Sequence, residues 1–115
     1  MDNLFFTNEH IMIRNMVREF ADSEITPVAQ ELDELGKFPR DLVDKMGELG
    51  LMGILIPEKY GGAGLDMVAF ATAIMELGRA DASVAITMTA HSSLGSLPIL
   101  MFGSEEQKNT YLPKL

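Results

Sequence analysis

This sequence predicts an all-α domain, a helical bundle of about five helices with one short extended segment near residues 51–56. Three observations predict it. Apolar residues recur at steps of three and four, cap and stop residues stand at the ends of those stretches, and no linker or internal repeat divides the chain. A single domain of 115 residues that is 47% hydrophobic can build an ordinary core without staples.

From Thr7 to Leu35 the apolar positions Ile13, Val17, Phe20, Val28, Leu32 and Leu35 form one helix face, interrupted at Glu24, while Arg14, Arg18, Asp22 and Glu34 lie opposite. Thr7 caps the start and Gly36 stops the end. Pro27 falls inside the pattern and should kink or split it near Ile25 and Thr26. Pro39, in a first helical turn, then opens a second helix through Leu42, Val43, Met46 and Leu49, ended by Gly50. The apolar run Leu51 to Ile56, closed by Pro57, is too short for a helix and reads as a buried extended segment. Asp66 caps a third helix running through Val68, Ala69, Ile74 and Leu77 to Gly78, and Asp81 caps a fourth. Ser104 with Gln107 forms a capping box for a fifth. Glu105 and Glu106 in its first turn, with Lys108 and Lys114 toward its other end, complement the helix dipole.

Composition narrows function. Without cysteine there is no disulfide framework and no thiolate metal site, and with only His10 and His91 a zinc site would need carboxylates. Seventeen acidic against nine basic side chains give a net charge of −8, which repels nucleic acid and anionic membrane surfaces. Residues 1–10 show neither signal nor transit peptide, so a bacterial cytoplasm is expected, with a mitochondrial matrix as the other compartment. From Ala82 to Ser104 no charge appears, a length that could cross a bilayer. Ser83, Thr87, Thr89, His91, Ser92, Ser93 and Ser96 make it too polar for that, and a helix buried in protein on most sides is expected. Leu112 and Leu115 have no later element to pack upon, which suggests the first part of something longer.

Chemistry could reside in a few places. Pro57-Glu-Lys-Tyr-Gly-Gly-Ala-Gly-Leu-Asp66 puts glycines between an apolar run and a helix, as phosphate loops do. Gly62 and Gly64 lack the third glycine of a dinucleotide fingerprint, and Asp66 would occupy the donors an anion needs. The stretch reads as a tight corner. Ser92 and Ser93 beside His91 have no Gly-x-Ser-x-Gly around them. Glu31, Asp33, Glu34, Asp44 and Glu48 read as solvated faces, so no catalytic group and no metal ligand is assigned. On the uncharged helix, Thr87, Ala90, His91, Leu94 and Pro98 share one stripe. The pattern alone allows either a core helix whose hydroxyls bond back to the preceding turn or one wall of a mostly apolar ligand cavity.

Four stretches carry a resemblance. They are Ile25-Thr-Pro-Val-Ala-Gln-Glu-Leu-Asp33 with Gly36-Lys-Phe-Pro39, the corner from Pro57 to Leu65, Ser92-Ser-Leu-Gly95 followed by Pro98, and Phe102-Gly-Ser-Glu-Glu-Gln-Lys108 with Tyr111-Leu-Pro113. In this order and spacing the chain resembles, over essentially its whole length, the N-terminal helical domain of the acyl-CoA dehydrogenases. The resemblance implies that residues 1–115 are that domain, with the family's β middle domain and C-terminal helical domain outside this chain. It implies FAD held mainly by those later domains, an acyl-CoA thioester as substrate, an electron-transfer flavoprotein as electron acceptor, and a homotetramer. The implied reaction is removal of the α proton by a glutamate and of the β hydrogen as hydride to the flavin. Carried onto this chain, the substrate-binding positions are Thr87, Ala90 and Leu94, with His91 adjacent. The family's catalytic glutamate and principal flavin motif lie beyond Leu115, so the chain alone should be inactive and should not retain FAD. A stand-alone helical interaction module, an acyl-CoA oxidase or a flavin monooxygenase are the other readings.

Overall fold

The structure, a computed structural model, describes residues 5–115; the first four residues of the stretch read as leaderless lie outside it. Seven α-helical segments follow one another: α1 (Asn8–Phe20), α2 (Ala29–Leu35), α3 (Arg40–Glu48), α4 (Met67–Ala80), α5 (Ala82–Ala90), α6 (Leu97–Phe102) and α7 (Glu105–Tyr111). No strand occurs among the described residues. Two joins are π-helical. Ala21–Ile25 prolongs α1, and His91–Ser96 fuses α5 and α6 into one helix of 21 residues. Six helical rods therefore stand where about five were expected, because Pro27 splits the first pattern in two.

The caps are those the sequence predicts. Thr7 Oγ1 accepts from the His10 N–H at 3.3 Å, and the Thr7 N–H donates to His10 Nδ1 at 3.1 Å, a capping box in which histidine takes the place of glutamate. Accepting at Nδ1 leaves the ring proton on Nε2, which donates to the Asp66 carboxylate at 2.9 Å. Asp66 also accepts from the Ala69 N–H at 2.9 Å, so one carboxylate fastens the starts of α1 and α4 together. That backbone bond, and then His10, hold its pKa below the ordinary aspartate value. Further along, Arg18 forks onto Glu76 at 2.7 and 3.0 Å and Arg79 reaches Asp22 at 2.9 Å. The offset between partners is nearly constant, so α1 and α4 lie side by side and parallel. Val17, Ala21, Ile25, Met46, Ala73, Leu77, Val84 and Met88 are fully buried between these helices and α3 and α5.

Several local expectations are corrected. Residues 51–56 are not extended. Gly50, at φ +83°, turns the chain into a 3₁₀ turn at Leu51–Gly53, and Gly53 O then accepts N–H groups from Ile56 at 3.1 Å and Ala63 at 2.9 Å. The run folds back on the glycine corner, and this buries Leu51, Met52, Ile54 and Ile56 without a ladder partner. Pro39 is the N-cap of α3 rather than a residue of its first turn. Helix α4 passes Gly78 and ends at Ala80, with Asp81 closing it and capping α5 through the Ser83 N–H at 3.2 Å. Leu35 is 64% exposed and takes no part in the core. Leu112 does find a partner, since it is buried against Ile56 and Tyr60 of the corner, with Ile99 and Leu100 packed beside them.

Candidate functional site

The long helix carries the four residues singled out for ligand binding, but it does not present them as a unit. Thr87 and His91 face a cleft of about 470 Å³ whose other walls come from Phe38, Val43 and Gly47, the Met52 turn, the Arg40–Asp44 ion pair, and the tail at Lys114 and Leu115. Ala90 and Leu94 lie on the neighbouring face, Ala90 half-buried and Leu94 77% exposed. The π segment beginning at His91 adds a residue to the turn and so rotates Leu94 away from the line a regular helix would give it.

The polar atoms divide in the same way. The Thr87, Thr89 and Ser93 hydroxyls donate to carbonyls one turn back, at 2.7 to 2.9 Å, so none of them is an activated nucleophile. His91 Nε2 is buried without a partner, and burial lowers its pKa, so the ring is neutral at physiological pH. The carboxylates read as solvated faces, Glu31, Asp33, Glu34, Asp44 and Glu48, are all exposed. No group of three metal-ligating side chains occurs among the described residues.

The glycine corner is occupied by its own chain. Gly61 and Gly64 sit at φ +89° and +66°, conformations that favour glycine, and a Cβ on Gly62 would overlap the Ile56 carbonyl oxygen. The N-terminal donors of α4 are already engaged by the ionised Asp66. These residues do not fit a flavin pyrophosphate, and what the corner does hold is α7. Tyr60 Oη donates to Glu105 at 2.8 Å, the chief reason that carboxyl's pKa is lowered, and Gly61 lies under Pro113.

The helix expected to be buried on most sides is open along much of its length. Only 28% of its most apolar window is buried, and Ile86, Leu94, Met101 and Phe102 are each at least 65% exposed. By length and mean hydropathy, 1.3, it could cross a membrane, yet a protein-covered helix passes the same test and its seven Ser, Thr and His side chains between 83 and 96 count against a span. The domain is flat, 41 × 39 × 19 Å, about two helix layers thick. It exposes 7221 Å², where a compact monomer of 12.6 kDa exposes about 6,200 Å². Sequence reasoning missed the contribution of Phe38, Val43 and Met52 to the cleft, because no local pattern ties α3 and the 3₁₀ turn to α5. It also missed the π segment, for which Pro98 within a helical pattern was the available signal.

Known proteins agree with this architecture. Residues 7–115 match the family described as acyl-CoA dehydrogenase, N-terminal domain. The chain belongs to the acyl-CoA dehydrogenase family and has the fold of its N-terminal domain. An acyl-CoA dehydrogenase of Bacillus subtilis (strain 168) is 50% identical over 109 residues, covering 95% of this chain and 29% of that protein. A chain in a structure of the electron transferring flavoprotein of Acidaminococcus fermentans superposes with a TM-score of 0.92 at 43% identity, over 97% of this chain and 30% of that one. An acyl-CoA dehydrogenase complexed with FAD from Bacillus anthracis gives a TM-score of 0.88 at 43% identity, over 98% and 20%. The chain thus spans less than a third of the length of these relatives.

Proposed function

We propose that this chain is the N-terminal part of an FAD-dependent acyl-CoA dehydrogenase, an oxidoreductase that removes the α and β hydrogens of an acyl-CoA thioester. The observation that carries the reading is the match along residues 7–115 together with an uncharged helix left open on the face bearing Ala90 and Leu94. In this proposal the base and most of the flavin site belong to parts of the polypeptide outside the chain, in keeping with a glycine corner that does not fit a flavin pyrophosphate. The chain's own contribution is one wall of the acyl pocket. Ala90 and Leu94, on the open face, line the acyl group with an apolar surface that excludes water, while Thr87 and His91 flank it from the neighbouring cleft, where the neutral His91 ring adds no charge. The open face with Ile86, Met101 and Phe102 packs against later domains or neighbouring subunits of a homotetramer. The excess surface of the isolated domain supports such a cover. Acyl-CoA is the substrate, an electron-transfer flavoprotein the electron acceptor, and the bacterial cytoplasm the compartment.

The full-length polypeptide is to be purified and its flavin reduction followed anaerobically with acyl-CoA thioesters of graded chain length. Reduction by one class of thioester is expected, and Ala90→Phe should shift the preference to shorter chains. Reduction by none of them would overturn the dehydrogenase reading, and an unchanged preference in Ala90→Phe would remove the pocket-wall role. The 115-residue chain by itself should purify without a flavin absorption band.

A further inference from the structure

On the inward side of the long helix, Val84, Met88, Ser92, Ser96 and Leu100 follow one another at steps of four. The first two fill the core, and Leu100 joins the Ile56–Tyr60–Leu112 cluster. Between them stand two serines, 3% and 1% exposed, packed where the π segment meets the Leu51–Gly53 turn. Both Oγ atoms are buried and neither has a hydrogen-bond partner in the protein. The other hydroxyls of this helix solve the problem by donating to the carbonyl four residues back, as Thr87, Thr89 and Ser93 do. Ser92 and Ser96 make no such bond, and in the wider π register the Leu97 N–H goes to the Ser92 carbonyl. Alanine would pack as well in these places if size were all that mattered, whereas a buried hydroxyl needs a partner.

We propose that the π segment His91–Ser96 is a binding site for one internal water molecule, held between the Ser92 and Ser96 hydroxyls beneath the Leu51–Gly53 turn. A buried water needs two to four polar neighbours. The two hydroxyls, each donor and acceptor, supply two. The Ser93 carbonyl offers another acceptor in the same turn, because the Leu97 N–H is committed to Ser92 and Pro98 has no N–H. The water satisfies groups that the widened turn leaves over, and it seats the turn 51–53 on the helix. This inference needs neither flavin nor acyl-CoA, so it stands or falls apart from the proposed activity.

Two measurements on the full-length polypeptide test it. A crystal structure at a resolution that shows ordered waters should place one within hydrogen-bond distance of both Oγ atoms. In a double-mutant cycle of Ser92→Ala and Ser96→Ala, each single change should lower the melting midpoint by roughly 2–4 °C. The double variant should fall little further, because the water leaves with the first hydroxyl. Density for no water between the serines overturns the proposal. Alanine variants as stable as the parent, or single effects that simply add, overturn it equally.

Discussion

The chain twice puts a proline inside a helical pattern, and the two regions meet it with the same local device and opposite outcomes. Before Pro27 the Thr26 N–H bonds to Ala21 O, five residues back, at 2.9 Å; before Pro98 the Leu97 N–H bonds to Ser92 O, again five back. In both places the widened turn relieves the clash between the proline ring and the preceding carbonyl. After Pro27 the helix ends, with the Val28 N–H closing a tight turn on Ile25 O at 3.0 Å and α2 leaving in a new direction. After Pro98 the helix continues through α6.

The difference lies in what the next apolar residues can reach. Val28 and Leu32 pack on the main core, which an unbroken first helix would leave behind. Ile99 and Leu100 find a second, smaller cluster of Ile56, Tyr60 and Leu112 lying along the line of the long helix. Proline sets where the register changes; long-range burial sets where the chain then goes. The carbonyl deprived of its donor also meets different surroundings, since Asp22 is exposed to solvent and Ser93 is half-buried.

Gly62→Ala should separate the two regions most sharply. Its Cβ would meet the Ile56 backbone, so the corner that holds the second cluster must move, at a cost above about 3 kcal/mol in urea denaturation. Hydrogen exchange should then quicken in α6 and α7 while α1 stays protected. Equal loss in α1 would mean that the two regions share one support.

Glu76→Ala tests the first region in the same way. Glu76 is 8% exposed, it receives the Arg18 fork, and that bond holds its pKa below the ordinary glutamate value. Its loss should cost about 1–2 kcal/mol and loosen the α1–α4 seam while α7 keeps its protection from exchange. At the prolines themselves, Pro98→Ala should stabilise by about 1 kcal/mol, because the helix continues and can regain a backbone bond. Pro27→Ala should change stability by less than about 0.5 kcal/mol, because that turn ends a helix in any case. Comparable gains at both sites would break the distinction.

The smallest effect is a pH dependence confined to the second region. Burial lowers the pKa of His91 below its ordinary value of 6.5, so the folded chain takes up that proton less readily than the unfolded chain. Its contribution to stability is therefore fully present above pH 6.5 and is lost as pH falls from there through the lowered folded value. Asp66, Glu76 and Glu105, all shifted downward, stay ionised across this window. Thermal melts of His91→Asn should show a flatter profile than the parent between about pH 7.5 and 5.

Much of this was legible from the residues. The caps at Thr7, Asp66, Asp81 and Ser104, the stops at Gly36 and Gly50, the break at Pro27 and the corner at Gly61 to Gly64 are all local devices. Their physics is complete within four or five residues, and the structure keeps each of them. The Leu51–Ile56 run was misread because a short apolar stretch is buried equally well as a strand or as 3₁₀ turns, and only the corner folding back on it decides. Leu35 was misplaced, and the burial of Glu76 was not foreseen, for a related reason. Helical spacing says which residues share a face but not whether a partner covers that face, nor whether an arginine fork waits opposite a carboxylate.

Of the candidate site, the uncharged helix was found from the sequence and its surroundings were not. The sequence by itself determined the all-α class, the helix ends, the acidic surface and the family, because these rest on short-range pattern and on motif order. Tertiary structure alone decided that Thr87 and His91 share a cleft with α3 while Ala90 and Leu94 face outward, and that Ser92 and Ser96 are sealed from solvent. Those outcomes depend on a one-residue change of register in the π segment and on contacts between residues distant in the chain, which no local pattern encodes.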